Sequence, residues 1–175
     1  VSLNGRTLPL LAHSLLPWRE TFALTTVVVK PGSQSLRSTV EAALGRDRSH
    51  AIRWIECNDA AEGMSASLRR GVSVCGDAAG WVVGLADMPL VPPAAIAGVF
   101  RALRQGASIA APSCDDRRGH PVGFSREYRN DLQQLRGDVG ARKILEQAGS
   151  KISYIKIDDS GVLADIDTPA DLHAL

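Results

Sequence analysis

Two acidic stretches carry the residue types best suited to chemistry. The first is Leu85-Ala86-Asp87-Met88-Pro89, where the apolar run from Trp81 to Ala86 ends in a carboxylate. Pro89 disfavours helix at Met88, so the chain stays extended and displays Asp87 at a strand end. A lone carboxylate there suits Mg²⁺, which takes one or two protein carboxylates and completes its octahedron with water and phosphate oxygens. An Asp that merely opens the turn ahead of Pro92-Pro93 has the same spacing. The second stretch is Ala164-Asp165-Ile166-Asp167-Thr168-Pro169-Ala170-Asp171. In an extended segment Asp165 and Asp167 share one side, and such crowding calls for a cation or hydrogen bonds to compensate it. The alternative is a helix start: Thr168 as N-cap, Pro169 at the first helical position and Asp171 completing a capping box, to which Asp171 is assigned.

A third group is Asn58 followed by Gly63-Met64-Ser65-Ala66-Ser67. A glycine and two hydroxyls at a helix start put free N–H groups and a positive dipole end at the same edge, which fits a nucleotide phosphate or ribose; a plain N-terminal cap by Ser65 uses the same residues. A fourth is Arg117-Arg118-Gly119-His120-Pro121, with Gly137-Asp138-Val139-Gly140-Ala141-Arg142 opening a later helix. Cations, hydrogen-bonding groups and glycine-permitted backbone approach suit a second anionic substrate. A solvated hairpin tip and a helix cap by Asp138 explain these residues equally well. His13, His50 and His173 have no companion ligand or nucleophile and read as structural or surface residues.

These groups need a scaffold that brings strand ends together. Short β-rich runs at Thr25 to Val29, Ile52 to Glu56, Trp81 to Ala86 and Ser108 to Ala111 alternate with helix-length segments at Leu8 to Leu16, Ser33 to Leu44, Gly63 to Val74 and Pro93 to Leu103. The alternation predicts a single three-layer α/β domain over residues 1–175 with a mostly parallel sheet, and a ligand at the carboxyl ends of its strands. Arg117 to Ser125 reads as a hairpin, Arg126 to Leu135 and Val139 to Ala148 as helices, and Ile152 to Ile157 as a strand, with a closing helix after Pro169.

The chain has 175 residues, 45% hydrophobic, and its 20 Lys+Arg against 19 Asp+Glu leave a net charge of +1. That length supports a core without disulfides or structural metal. Near-neutral charge argues against nucleic-acid and anionic-membrane surfaces as partners, because both need a concentrated positive field. Three cysteines without a CxxC pair suit a reduced, cytoplasmic setting, and no apolar stretch approaches membrane-spanning length. There is no GxSxG elbow, GxGxxG or Walker loop. Val1 follows no initiator Met, which raises the expectation that the natural N-terminus is missing.

Taken in order, Asn58, Glu62 to Leu68, Leu85 to Pro89, Arg118 to Phe124, Gly137 to Arg142 and Asp165 to Leu172 resemble the molybdenum cofactor nucleotidyltransferases, most closely the cytidylyltransferase branch. The resemblance runs from Asn4-Gly5-Arg6-Thr7-Leu8 to the C-terminus. It implies a Rossmann-like fold of the nucleotide-diphospho-sugar transferase type, Mg²⁺, and transfer of CMP from CTP to molybdopterin with loss of pyrophosphate. By that likeness Asp87 is the principal metal ligand, with Asp165, Asp167 or both beside it. Asn58, Gly63, Met64, Ser65 and Ser67 fall on the nucleotide side, and Gly119, His120, Pro121, Asp138 and Arg142 on the pterin side. A molybdenum hydroxylase or dehydrogenase would receive the product. The family normally opens with a strand and a glycine-rich loop ahead of the segment matching Asn4 to Leu8. No counterpart is present in this sequence, which implies a weaker hold on the triphosphate.

Overall fold

The computed structural model describes residues 1–3, 5–45, 52–168 and 170–171. A small antiparallel hairpin, β1 (Ser2–Leu3) and β2 (Arg6–Thr7), precedes α1 (Leu10–Leu15). Pro9 stands at the N-cap of α1, so this helix is shorter than the Leu8 to Leu16 segment expected. There follow β3 (Thr25–Val29), α2 (Gln34–Leu44), β4 (Ile52–Glu56), α3 (Met64–Val74), β5 (Gly80–Val83) and α4 (Pro93–Arg104). Then come β6 (Ile109–Cys114), β7 (Arg117–Arg118), β8 (Val122–Ser125), α5 (Arg129–Gln133), α6 (Arg142–Ala148) and β9 (Ile152–Lys156). Asn4, His50, His173 and Pro169 lie outside the described residues, as does the expected closing helix apart from Ala170 and Asp171.

The fold is α/β, but the sheet is mixed rather than mostly parallel. β3 and β4 pair in parallel from Thr25↔Ile52 to Val29↔Glu56, and β6 and β9 in parallel from Ile109↔Ile152 to Ser113↔Lys156. β8 instead runs antiparallel to both β5 and β6. The cause is local. Asp115 and Asp116, both at positive φ, turn the chain straight back from β6 into β7, and so short a return can only give an antiparallel neighbour.

The strand expected from Trp81 to Ala86 leaves its ladder at Val83, whose partner is Val122. The residue before Val122 is Pro121, which has no N–H to continue the ladder, and the Trp18 ring lies against Gly84 where a Cβ would stand. The helix expected over Arg126 to Leu135 divides into a 3₁₀ turn, Arg126–Tyr128, and α5. The one expected from Val139 begins only at Arg142, because Gly140 has φ +53°.

Sequence chemistry accounts for the core. The β-branched run Thr25–Val29 suits a pleated surface covered on both faces. α4 starts on Pro92-Pro93 and ends in a Schellman motif, with Ala107 N–H donating to Ala102 O and Gly106 N–H to Leu103 O at φ +98°. Its Ala95, Ile96 and Val99 are fully buried. Phe124, Ile109 and Leu132 anchor a second part of the core under α5 and α6.

Among the described residues β3 pairs only with β4, and β5 only with β8. Between their free edges runs an apolar groove of about 550 Å³, lined by Thr25 to Val28 on one side and Gly80 to Ala86 on the other. Leu11 and Leu15 of α1, Trp18, Phe22, and Leu68 and Val72 of α3 complete its walls.

Candidate functional site

Asp87 follows β5 on a segment pinned from both directions. The Ser14 hydroxyl donates to Ala86 O at 2.7 Å, Met88 is buried, and Ile166 N–H donates to Asp87 O at 2.9 Å. That last bond brings the two acidic stretches side by side. Asp87 Oδ1 is buried and has no hydrogen-bond partner. An oxygen donor with an unfilled lone pair, held out of water in the turn after β5, fits a hard divalent cation.

Ile166 is buried, while Asp165 and Asp167 on either side of it are exposed. The capping box expected at Thr168 is formed. Asp171 Oδ2 accepts from Thr168 N at 2.6 Å, Thr168 Oγ1 at 2.8 Å and Asp167 N at 3.1 Å. These bonds, those of Thr168 foremost, hold the Asp171 carboxyl below the usual aspartate range. Among the described residues no group of three or more His, Cys, Asp or Glu side chains is arranged to hold a metal. Asp87, Asp165 and Asp167 therefore do not form a ready-made cage, because the late pair flanks an inward-facing isoleucine. A cation held here would rest on one or two carboxylates, as Mg²⁺ commonly does.

His120 approaches the same place. Its N–H donates to Val162 O at 2.8 Å, its Nδ1 is buried without a partner, and its charge interactions are with Arg118 and Asp165. Burial first, and the Arg118 guanidinium second, push the imidazole down to about 4, with Asp165 pulling the other way. The ring is neutral at pH 7. Its neighbours Gly119 and Pro121, placed on the substrate side by resemblance, are packing residues. Pro121 is fully buried, and a Cβ on Gly119 would strike Val162.

The nucleotide-side residues need a larger correction. Met64 N–H is bonded to Asp138 Oδ1 at 2.9 Å, Ser65 N–H to Gly137 O at 3.2 Å and Ala66 N–H to Gly63 O at 3.1 Å. The start of α3 therefore has no free amides to offer a phosphate. Ser65 is fully buried with its hydroxyl on Arg136 O at 3.3 Å, so it braces the wall instead of lining it. Met64 and Ser67 do line the groove, and Asn58 is exposed after β4. Asp138 caps α3 and not the helix that follows it, since α6 has no side-chain cap. Arg142 is exposed and ion-paired to Glu146 at 2.9 Å.

Sequence reasoning passed over Arg69, which bonds Leu135 O at 2.7 Å and Glu62 at 2.9 Å. The signal available was an opposite charge seven residues away, across the Gly63 break that separates Glu62 from α3.

The model of the MobA-like NTP transferase domain matches residues 1–152. The chain belongs to that family. Among solved structures, this MobA-like chain is similar to a manganese complex of Rv0371c from Mycobacterium tuberculosis H37Rv. That match has a TM-score of 0.74 at 24% identity and covers 100% of this chain and 88% of the other. It is also similar to a CMP:2-keto-3-deoxy-manno-octonic acid synthetase complexed with CTP, with TM-score 0.67 at 14% identity, covering 99% and 90% of the two chains. A third likeness is to the molybdopterin-guanine dinucleotide biosynthesis protein A from Archaeoglobus fulgidus, with TM-score 0.63 at 18% identity and coverage of 99% and 86%. No curated protein sequence matches the chain. The three solved structures share the fold of this chain, and its MobA-like domain makes it a nucleotidyltransferase. No helix among its described residues is long and apolar enough to cross a membrane.

Proposed function

We propose that this nucleotidyltransferase moves CMP from CTP to the phosphate of molybdopterin, with Mg²⁺ and in the cytoplasm, for delivery to a molybdenum hydroxylase or dehydrogenase. One observation carries the reading: the Ile166–Asp87 backbone bond sets a buried, unpartnered carboxylate oxygen, in the turn after β5, beside a second acidic stretch. The molybdopterin-related neighbour and the CTP-bound neighbour support acceptor and nucleotide respectively.

The acceptor phosphate is ionised at neutral pH, so it needs no general base. Its oxygen forms the new bond to the α-phosphorus while the α–β bridging bond breaks in line, and pyrophosphate leaves with the electron pair. Catalysis is then positioning and charge neutralisation. Asp87, with Asp165 or Asp167, would hold the divalent cation, which when bound offsets charge on the phosphate oxygens. Neutral His120 can hydrogen-bond an acceptor oxygen, and Met64, Ser67 and Asn58 border the nucleotide side.

One observation favours a second reading, a protein that holds nucleotide or molybdopterin without transferring it. The α3 amides that would cradle a phosphate are already bonded within the chain. Pyrophosphate release from CTP, measured with Mg²⁺ and molybdopterin and repeated with GTP, decides between the two. Release with CTP and not GTP supports CMP transfer; molybdopterin binding without release supports the carrier.

A further inference from the structure

The hydrogen bonds at the start of α3 join two segments far apart in sequence. Asp138 Oδ1 takes Met64 N–H across 74 residues, Gly137 O takes Ser65 N–H, Arg136 O takes the Ser65 hydroxyl and Leu135 O takes Arg69 Nη1. The contact has no slack. Gly63 lies at φ +104° with a Cβ position 2.8 Å from Asp138 Cα, and Gly140 lies at φ +53° with a Cβ position 2.9 Å from Met64 Sδ. Each glycine is needed twice over, for its backbone angle and for the space a side chain would fill.

The resemblance assigns the two joined segments to different substrates. Asn58 to Ser67 falls on the nucleotide side by that likeness, and Met64 and Ser67 line the groove. Asp138 to Arg142 falls on the acceptor side by the same likeness and leads into α6. Asp138 sits at the joint, and its carboxylate also answers the positive end of the α3 dipole, which draws in negative charge.

We propose that Asp138 is a positioning residue: by capping α3 it fixes the nucleotide wall against the acceptor-side segment, so that the two segments keep one spacing. The proposal rests on the CMP-transfer reading above and on that division between the substrates. It makes Asp138 act through Met64 and the α3 amides, not on substrate.

The test compares Asp138→Ala with Asp138→Asn, because asparagine caps about as well as aspartate while carrying no charge. Pyrophosphate release from CTP is read as KM against kcat, and hydrogen exchange is read at the Met64 and Ser65 amides. For Asp138→Ala we expect KM for CTP to rise about tenfold with kcat within about twofold, the pattern of lost uniform binding. The two amides should exchange at least about tenfold faster, as expected when a cap is lost and the first turn frays. Asp138→Asn should restore both readings. The proposal is overturned if Asn behaves like Ala, which would assign the charge a direct ligand role. It is also overturned if Ala lowers kcat at constant KM, binds CTP more tightly, or leaves both readings unchanged. If the unaltered protein neither binds CTP nor releases pyrophosphate, the CMP-transfer reading fails, and the exchange data alone still decide whether Asp138 holds α3.

Discussion

Ile166 N–H donates to Asp87 O at 2.9 Å, and through this bond the chain leaving β5 and the chain entering the Thr168 cap run together. The bond uses only the backbone of Asp87 and leaves Oδ1 of its side chain buried with no partner. That separation allows the carboxylate to be changed without disturbing what holds it in place.

Asp87→Asn should therefore abolish turnover while leaving the fold intact. Loss of charge opposite the phosphates is expected to lower kcat at least about 100-fold, in line with the removal of one electrostatic contact in other active sites. Urea unfolding should show equal or slightly greater stability, since a buried carboxylate oxygen without a partner is a cost to the folded state. Retained pyrophosphate release by Asp87→Asn would refute the role assigned to Asp87.

His120 gives the fold a pH dependence whose sign can be worked out. Its imidazole is depressed from 6.5 to about 4 in the folded protein, so between those values the unfolded chain binds the extra proton. Its contribution is complete above about pH 6.5 and is lost as pH falls toward 4, amounting to something on the order of 3 kcal/mol. His120→Gln should flatten the fall in urea midpoint over this range. An unchanged slope in that variant would place the pH dependence elsewhere.

Asp171 acts at more acid pH and with the same sign. Hydrogen bonds from the Thr168 side chain, then the Thr168 and Asp167 amides, keep its carboxyl below the ordinary aspartate value. Its contribution is present above that ordinary value and disappears as pH drops through the lower folded one. In Asp171→Asn, amide exchange at Asp167 and Thr168 should lose its acid dependence; an unaltered profile would mean that the cap does not titrate.

Gly119 tests the packing behind His120. A methyl at this position would collide with the Val162 carbonyl, which itself accepts the His120 N–H. Gly119→Ala should destabilise the protein by about 1–3 kcal/mol, as overpacking of a closed site does. Because the collision displaces His120, the acid limb of stability should shift as well. A midpoint equal to that of the unaltered protein would show that this segment yields easily.

The readable features were those whose cause is local. Thr168 and Asp171 form the expected cap because a capping box is written within four residues. Met88-Pro89 rules out a helix after the apolar run, but the strand read as reaching Ala86 stops at Val83, and Asp87 falls in the turn beyond it. The start of α3 was visible as well, but not the partner that occupies it, for a cap supplied from 74 residues away leaves no mark in the neighbouring sequence. The sheet was read as mostly parallel because alternating strands and helices say so until Ala111. The direction of β8 depends on the turn at Asp115 and Asp116, whose positive φ angles reverse the chain. Ser65 was taken for a ligand contact because a hydroxyl at a helix start looks the same whether it faces a cleft or a carbonyl. Burial, which only the packed fold reveals, separates the two.

The groove between β3 and β5 also bears on how the protein behaves in company. Among the described residues one edge of β3 and one edge of β5 border it without a ladder, so an extended segment seated between them could pair with both. Thr25–Val29 is itself such a segment, five residues of threonine and valine with no charge, the composition that favours cross-β stacking. Lys30, exposed just beyond it, is the nearest gatekeeper. An extended partner segment seated at this seam would tie the β3–β4 pair to the larger sheet as one surface.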